Sequence, residues 1–219
     1  VRLERHKPRN LIMSVACRLK PLVPLDAMLD LAAIVHRLAF EKAAEHGLGV
    51  FGDNPFLFEQ IKPTDRVLEI GCSSGRVLSQ VRAAERVGVD YDKAAIERGR
   101  LEHPDLTLVH ADARDFLKSA DRFDVAILSH VLEHLDEPEA LLSALDSDRI
   151  YIEVPDFEWN TLNDVRRERG RAMVYLDVDH VAEFDRNEIE ELFRNCGFNI
   201  IDREFRWGFM RYWLKRSRP

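Results

Sequence analysis

From Arg66 onward the chain alternates short apolar runs with amphipathic stretches, and few architectures accept that order. The runs RVLEI (66–70), RVGVD (86–90), LTLVH (106–110), FDVAILS (123–129) and RIYIEV (149–154) have the length and β-branched content of strands. The segments 75–84, 93–102 and 137–146 between them carry apolar residues at helical spacing. Strand and helix in alternation predict an α/β fold, a mostly parallel sheet covered by helices on both faces. RNEIEELFRNCGF (186–198) reads as one more helix, with Asp185 as its cap and Gly197 at its end. NIIDREF and FMRYWLK then read as two strands joined through Arg206, Trp207 and Gly208, so the sheet is expected to close on an antiparallel hairpin.

Ahead of this body, apolar residues at 25, 28, 29, 32, 35 and 39 mark an amphipathic helix between Pro24 and about His46. Residues 1–60 are expected to form an N-terminal arm and helical cap, and 61–219 the main domain. The basic start VRLERHKPRN followed by LIMSVAC imitates a secretory signal. Its apolar stretch is too short and is followed at once by Arg18 and Lys20, so an arm is the better expectation. The exposed apolar content of 11–40 makes a homodimer through these helices conceivable.

Composition narrows the function classes. With 46% apolar and 32% charged residues, the chain can bury a core and is not disordered. Its net charge of −7 speaks against a general nucleic-acid coat. No run approaches the roughly 20 apolar residues of a membrane span. Cys17, Cys72 and Cys196 are few, odd in number and widely spaced; reduced thiols in a cytoplasmic protein are expected, with no disulfide framework or cysteine zinc site.

The densest chemistry lies in VLEIGCSSGRVLSQV (67–81), a strand, a glycine turn and an expected helix near Gly75. In an open parallel sheet, ligands bind beyond the carboxyl ends of the strands where the strand order reverses. A dinucleotide fingerprint starting at Gly71 would need glycine at the positions held by Ser73 and Arg76, which counts against NAD or FAD. Instead Glu69 precedes Gly71 and Gly75. An acid there repels pyrophosphate but pairs with an ammonium group. Asp90, at the end of the second strand, is placed to accept from both hydroxyls of a ribose, and Tyr91 to lie against a purine. In HADARDF, Asp112 is placed to accept from an adenine amino group and the Ala113 N–H to meet a ring nitrogen. Amino acid, ribose and adenine, in that order, describe S-adenosylmethionine.

On these residues the chain resembles the class I S-adenosylmethionine-dependent methyltransferase family over about 64–205. EIGCSSG (with Gly71, Cys72, Ser73 and Gly75), GVDYD, HADARDF and SHVLEHLDEP stand in the family's order. The resemblance implies a Rossmann-like seven-stranded sheet with an antiparallel last strand, and Ser129 and His130 along the methionine end of the cofactor. Ser73 departs from a position where the family often has glycine.

Methyl transfer is an in-line displacement at a carbon activated by a sulfonium leaving group, so the protein aligns the acceptor and deprotonates it where needed. His134 and Asp156 (in EVPDFEW) are similar to the base and its orienting acid in sugar O-methyltransferases of this superfamily, and His180 (in LDVDHVAEF) is a further acceptor contact or second base. No metal site is fixed by the spacing, although magnesium on Glu133, His134, Asp136, Asp156, Asp177 and Asp179 is conceivable, since some sugar and quinol members are metal-dependent. The position after the fourth strand reads SHVL rather than the Asp/Asn-Pro-Pro-Tyr/Phe box of base methyltransferases, so no nucleic-acid acceptor is expected. A small hydroxyl acceptor is expected, a sugar or glycoside first and a quinol, phenol or polyketide second, under a roof made by 24–46 and NPFLFEQ with Trp159 as a flat wall. A regulatory protein that binds the cofactor without turnover is the alternative of another class.

Overall fold

The computed structural model describes residues 22–45, 54–159, 161–170 and 180–217. The apolar runs become seven strands: β1 Arg66–Ile70, β2 Glu85–Asp90, β3 Thr107–His110, β4 Phe123–Ser129, β5 Ser147–Pro155, β6 Phe198–Arg206 and β7 Phe209–Arg216. They make one sheet in the order β3-β2-β1-β4-β5-β7-β6. The strands β1 to β5 pair in parallel, while β7 runs antiparallel to both β5 and β6. The hairpin expected from the sequence is present, and Trp207 and Gly208 turn it with positive φ at both positions. Strand order reverses between β1 and β4, which places the switch point at the end of β1, directly before Gly71.

The helices are α1 Leu25–Glu45, α2 Pro55–Phe58, α3 Lys93–Glu102, α4 Ala113–Leu117, α5 Pro138–Ala144, α6 Thr161–Glu168 and α7 Arg186–Asn195. Side chains alternate across the sheet with period two. Leu68, Ile70, Ala126, Leu128, Ile150, Ile152, Met210 and Tyr212 join α5 and α7 on one face. Val67, Val125, Ile127, Tyr151 and Trp213 join Leu57 and Ile96 on the other. The Trp213 indole N–H donates to the Phe56 carbonyl at 2.8 Å, which ties the short α2 to the sheet.

Two expectations change, and a third group is not reached. The segment 75–84 is not an α-helix: it holds turns and one 3₁₀ turn, Leu78–Gln80. Its apolar anchors Leu78 and Val81 are three residues apart and both buried, and that spacing falls on one side of a three-residue turn. The chain is extended again at Val81, in time to enter β2. Second, α1 has the expected bounds, but among its described side chains only Leu29 is buried. Leu31, Ile34, Val35 and Leu38 face solvent, and Asp26 pairs with Arg169 just past α6. Third, the expectations on Cys17, Asp177, Asp179 and the Trp159 side chain lie outside the described residues.

The cap of α7 follows the sequence closely. Asp185 Oδ1 accepts from the Asn187 and Glu188 amides at 2.9 and 2.8 Å, and Glu188 accepts from the Asp185 amide at 3.0 Å. Asp185→Ala removes the side-chain half of this box, leaving the main-chain amide at 185 to donate to Glu188, and is expected to cost about 1 kcal/mol in urea unfolding.

Candidate functional site

The turn after β1 is built from left-handed backbone. Gly71, Ser73 and Gly75 all have positive φ. A Cβ on Gly71 would also stand 2.7 Å from Val131 Cγ2, so glycine is required there by φ and by the β4 loop as well as by any ligand. Ser73 accepts φ +49° at a cost that a glycine would not incur. The turn is tied to β2: Asp90 Oδ2 accepts from the Ser73 amide at 2.7 Å and Oδ1 from the Asp92 amide at 2.8 Å. Each oxygen keeps a second lone pair, so the same carboxylate can also receive hydroxyl donors. Asp112 caps α4 through Oδ1, accepting from Arg114 and Asp115.

Two cavities meet at this turn and share Gly71, Ser73 and His130. The larger, about 770 Å³, is walled by Asp90, Tyr91, Asp112, Ala113, His130 and His134 among others. Its lining is rich in acids: Asp90, Asp92, Asp112, Asp136 and Glu137 stand against Arg114, His130 and His134. The smaller, about 250 Å³, is lined by Glu69, Cys72, Ser129, Glu153, Arg211, the α2 residues Leu57 and Phe58, and Asn54 at the cap of α2. NPFLFEQ reaches the smaller cavity through Asn54, Leu57 and Phe58, and no described α1 side chain is among those lining either cavity.

Glu69 is buried, and its Oε2 accepts from the Leu78 amide at 3.1 Å. Burial drives its carboxyl up to about 8, against the pull of that amide and with a further push from Asp90. Beneath the smaller cavity lies a charge network that sequence reasoning missed. Glu153 accepts from Arg211 Nε at 2.5 Å, Tyr151 Oη at 2.8 Å, Asn54 Nδ2 at 3.2 Å and Ser129 Oγ at 3.2 Å. Burial alone would raise it, but His130 first, then Arg211 and Tyr151, hold it at about 2. The only signal was an acid inside the apolar run of β5.

His130 sits at φ +55° at the end of β4. Its Nδ1 lies 3.1 Å from Glu133 Oε1, and its Nε2 lies 3.3 Å from Glu153 Oε1 but outside hydrogen-bond geometry. Burial works against protonation of this ring, but the two glutamates outweigh it and hold it up at about 9. His130 is thus a cation between two acids and a poor proton acceptor near neutral pH.

The next turn of chain brings distant residues together. The Val181 and Ala182 amides donate to the Glu133 carbonyl at 2.9 and 3.1 Å, docking the start of that segment on the 3₁₀ turn Leu132–His134. His134 and His180 then meet edge to face with ring centroids 4.8 Å apart. Ligand atoms of Glu133, His134 and His180 all lie within 4.8 Å of one another. His180 Nδ1 lies 2.8 Å from Glu183 Oε1. Asp156 is not part of this group. It is buried under Arg186 at 2.6 Å, caps the Glu158 amide, and lines neither cavity. Asp136 lies on the rim of the larger cavity.

Residues 30–203 match a family model described as a methyltransferase domain. Over 138 residues the chain is 27% identical to a Mycolicibacterium smegmatis protein named "probable S-adenosylmethionine-dependent methyltransferase", covering 62% of this chain and 52% of that one. The chain therefore spans about half the length of the curated relative it matches. Among solved structures, a TehB-like S-adenosylmethionine-dependent methyltransferase from Corynebacterium glutamicum superposes with a TM-score of 0.55 at 17% identity, over 86% of this chain and all of the other. The magnesium protoporphyrin IX methyltransferase of Synechocystis, solved with S-adenosylhomocysteine bound, gives 0.56 at 15% identity over 89% of each chain. At such identities these two structures attest the fold alone. No described helix is long and apolar enough to cross a membrane.

Proposed function

The chain belongs to the methyltransferase-domain family, of the class I S-adenosylmethionine-dependent type, and from that premise we propose that it transfers the cofactor's methyl group to a hydroxyl of a small, neutral, polyol-like molecule, a sugar or glycoside. The reading rests on one observation above the rest. Glu69, Gly71, Asp90, Tyr91, Asp112 and His130, spread over some sixty positions of sequence, all line the paired cavities at the switch point. In this reading the larger cavity takes the adenosine, with Asp90 on the ribose hydroxyls, Tyr91 against the purine, and Asp112 and the Ala113 N–H on the ring edge. The amino-acid tail turns toward Glu69, Gly71, Cys72, Ser73 and Gly75, with Ser129 and His130 beside it.

The reaction balances simply. An acceptor oxygen attacks the methyl carbon as the C–S bond breaks, the bonding pair stays on sulfur as a neutral thioether, and the hydroxyl proton leaves. That proton is drawn off at the cluster of His134, Glu133 and His180, beside the larger cavity. Asp156, engaged with Arg186, acts in this scheme by holding the β5 loop and not by touching the acceptor. Hydroxyl acceptance is supported by the polar groups that line the larger cavity beside His134, namely Asp136 and Glu137.

A thermal-shift panel tests the cofactor. S-adenosylhomocysteine at about a hundred times its dissociation constant is expected to stabilise the protein by about 2.7 kcal/mol, seen as a clear rise in melting temperature. NAD is expected to give none, and the reverse pattern would overturn the proposal. Glycosides added with the cofactor product should raise the midpoint further if the acceptor class is right.

A further inference from the structure

We propose that Glu133, His134 and His180 form a binding site for a divalent transition-metal ion of the zinc class, set beside the larger cavity. Two imidazoles and one carboxylate, with ligand atoms within 4.8 Å of one another, need only small rotations to converge on one ion. A cluster of this kind is common on surfaces without a metal, and two features set this one apart.

The first is Glu133. Its side chain is fully buried, Oε1 is taken by His130, and Oε2 has no hydrogen-bond partner. A buried carboxylate oxygen left without a donor is costly and uncommon in a folded protein, and a cation is the partner that removes the cost. The second is the shell behind the ligands. The Glu183 carboxylate lies 2.8 Å from His180 Nδ1, and side-chain exposure at both is under a tenth. A proton on Nδ1 donated to that carboxylate leaves Nε2 with its lone pair, the arrangement in which histidine binds metals. His130 does the equivalent for Glu133, fixing one oxygen while the other stays unengaged. The ligands are thus held from behind by residues that do not belong to the trio.

The donor set also selects the ion. Imidazole nitrogen suits zinc, iron, nickel or copper, whereas magnesium prefers oxygen donors and holds its waters. Of the acids considered for magnesium from the sequence, Asp156 is already committed to Arg186. His134 lines the larger cavity, so an ion on it stands where an acceptor hydroxyl can reach. A coordinated hydroxyl loses its proton to water far more readily than a free one, and the cluster then acts as a Lewis acid instead of a free base. This catalytic role rests on the methyl-transfer proposal; the binding of the ion does not.

The test uses the full chain after treatment with a chelator, titrated with Co²⁺ and then with Zn²⁺. One cobalt per chain is expected, with intense visible d–d bands that zinc displaces and magnesium does not. His180→Ala should abolish the bands, and Glu133→Gln should weaken them strongly. Glu183→Gln, which removes only the orienting carboxylate, should lower cobalt affinity about 10–100-fold. S-adenosylhomocysteine binding is followed in the same samples. If it persists in His180→Ala while cobalt binding is lost, the site is independent of the cofactor cavity. If cobalt binds weakly, in non-integral ratio or unchanged in His180→Ala, or if magnesium displaces it, the metal proposal is overturned. If instead cobalt binds as expected and the cofactor product does not, it is the methyl-transfer reading that fails.

Discussion

Asp90→Ala is expected to weaken S-adenosylhomocysteine binding by about 10²–10⁴-fold in titration calorimetry. The proposed ribose contact consists of two hydroxyl donors to one carboxylate, and hydrogen bonds to a charged group contribute about 1.5–3 kcal/mol each. The loss does not stop at the contact. Asp90 also holds the Ser73 and Asp92 amides, so its removal frees both the turn after β1 and the start of α3. Asp90→Asn separates the two effects, since its single carbonyl oxygen can keep one amide tie while the charge is gone. Calorimetry on folded Asp90→Ala that returned wild-type affinity would sink the ribose assignment.

The second large effect is a pH dependence centred on Glu69. In the unliganded protein this carboxyl is held at about 8 by burial, whereas a cofactor ammonium group requires the anion. Binding must therefore release the Glu69 proton. Between pH 5 and 7 an α-amino group is still protonated, so affinity should rise with pH at about tenfold per unit. Glu69→Gln should bind more weakly at pH 7 and show a flat profile over the same window. The stability of the unliganded protein moves the other way. Glu69 has an ordinary value of 4.5 when unfolded, so between 4.5 and about 8 the folded form holds more protons and loses stability as pH rises. Glu69→Gln should flatten that trend in denaturant midpoints. A wild-type affinity independent of pH over 5–7 would show that Glu69 does not meet the ammonium.

How much of this was legible in the sequence depends on distance along the chain. The strands could be read because each is a short apolar run bounded by polar residues, and β1 and β4 have the bounds expected of them. The residues that line the paired cavities could be read for a similar reason: they lie within a few positions of a strand end, and the parallel topology brings those ends to one edge. The 75–84 segment misled because Val77, Leu78 and Val81 satisfy a helical pattern and a 3₁₀ turn equally well, and the Glu69 carboxylate takes an amide that a helix would have used. His134 and His180 were singled out separately, yet nothing local says that their rings touch. That contact depends on the Val181 and Ala182 amides reaching the Glu133 carbonyl. The network of Asn54, Glu153 and Arg211 spans even longer separations, and β5 and β7 are buried on both faces, so alternation could not single out their inward charges. Asp156 shows the converse. A motif placed it in the chemistry, while Arg186, thirty residues away, occupies it.

The acidic wall of the larger cavity has a consequence for turnover under the proposed chemistry. Five carboxylates face Arg114 and the His130 cation there. The incoming sulfonium bears a full positive charge, and donating its methyl extinguishes that charge. The same wall that draws the fresh cofactor in from solution therefore holds the spent thioether less strongly, by the share owed to the sulfonium charge, and the electrostatics of the pocket favour exchange of used for unused donor.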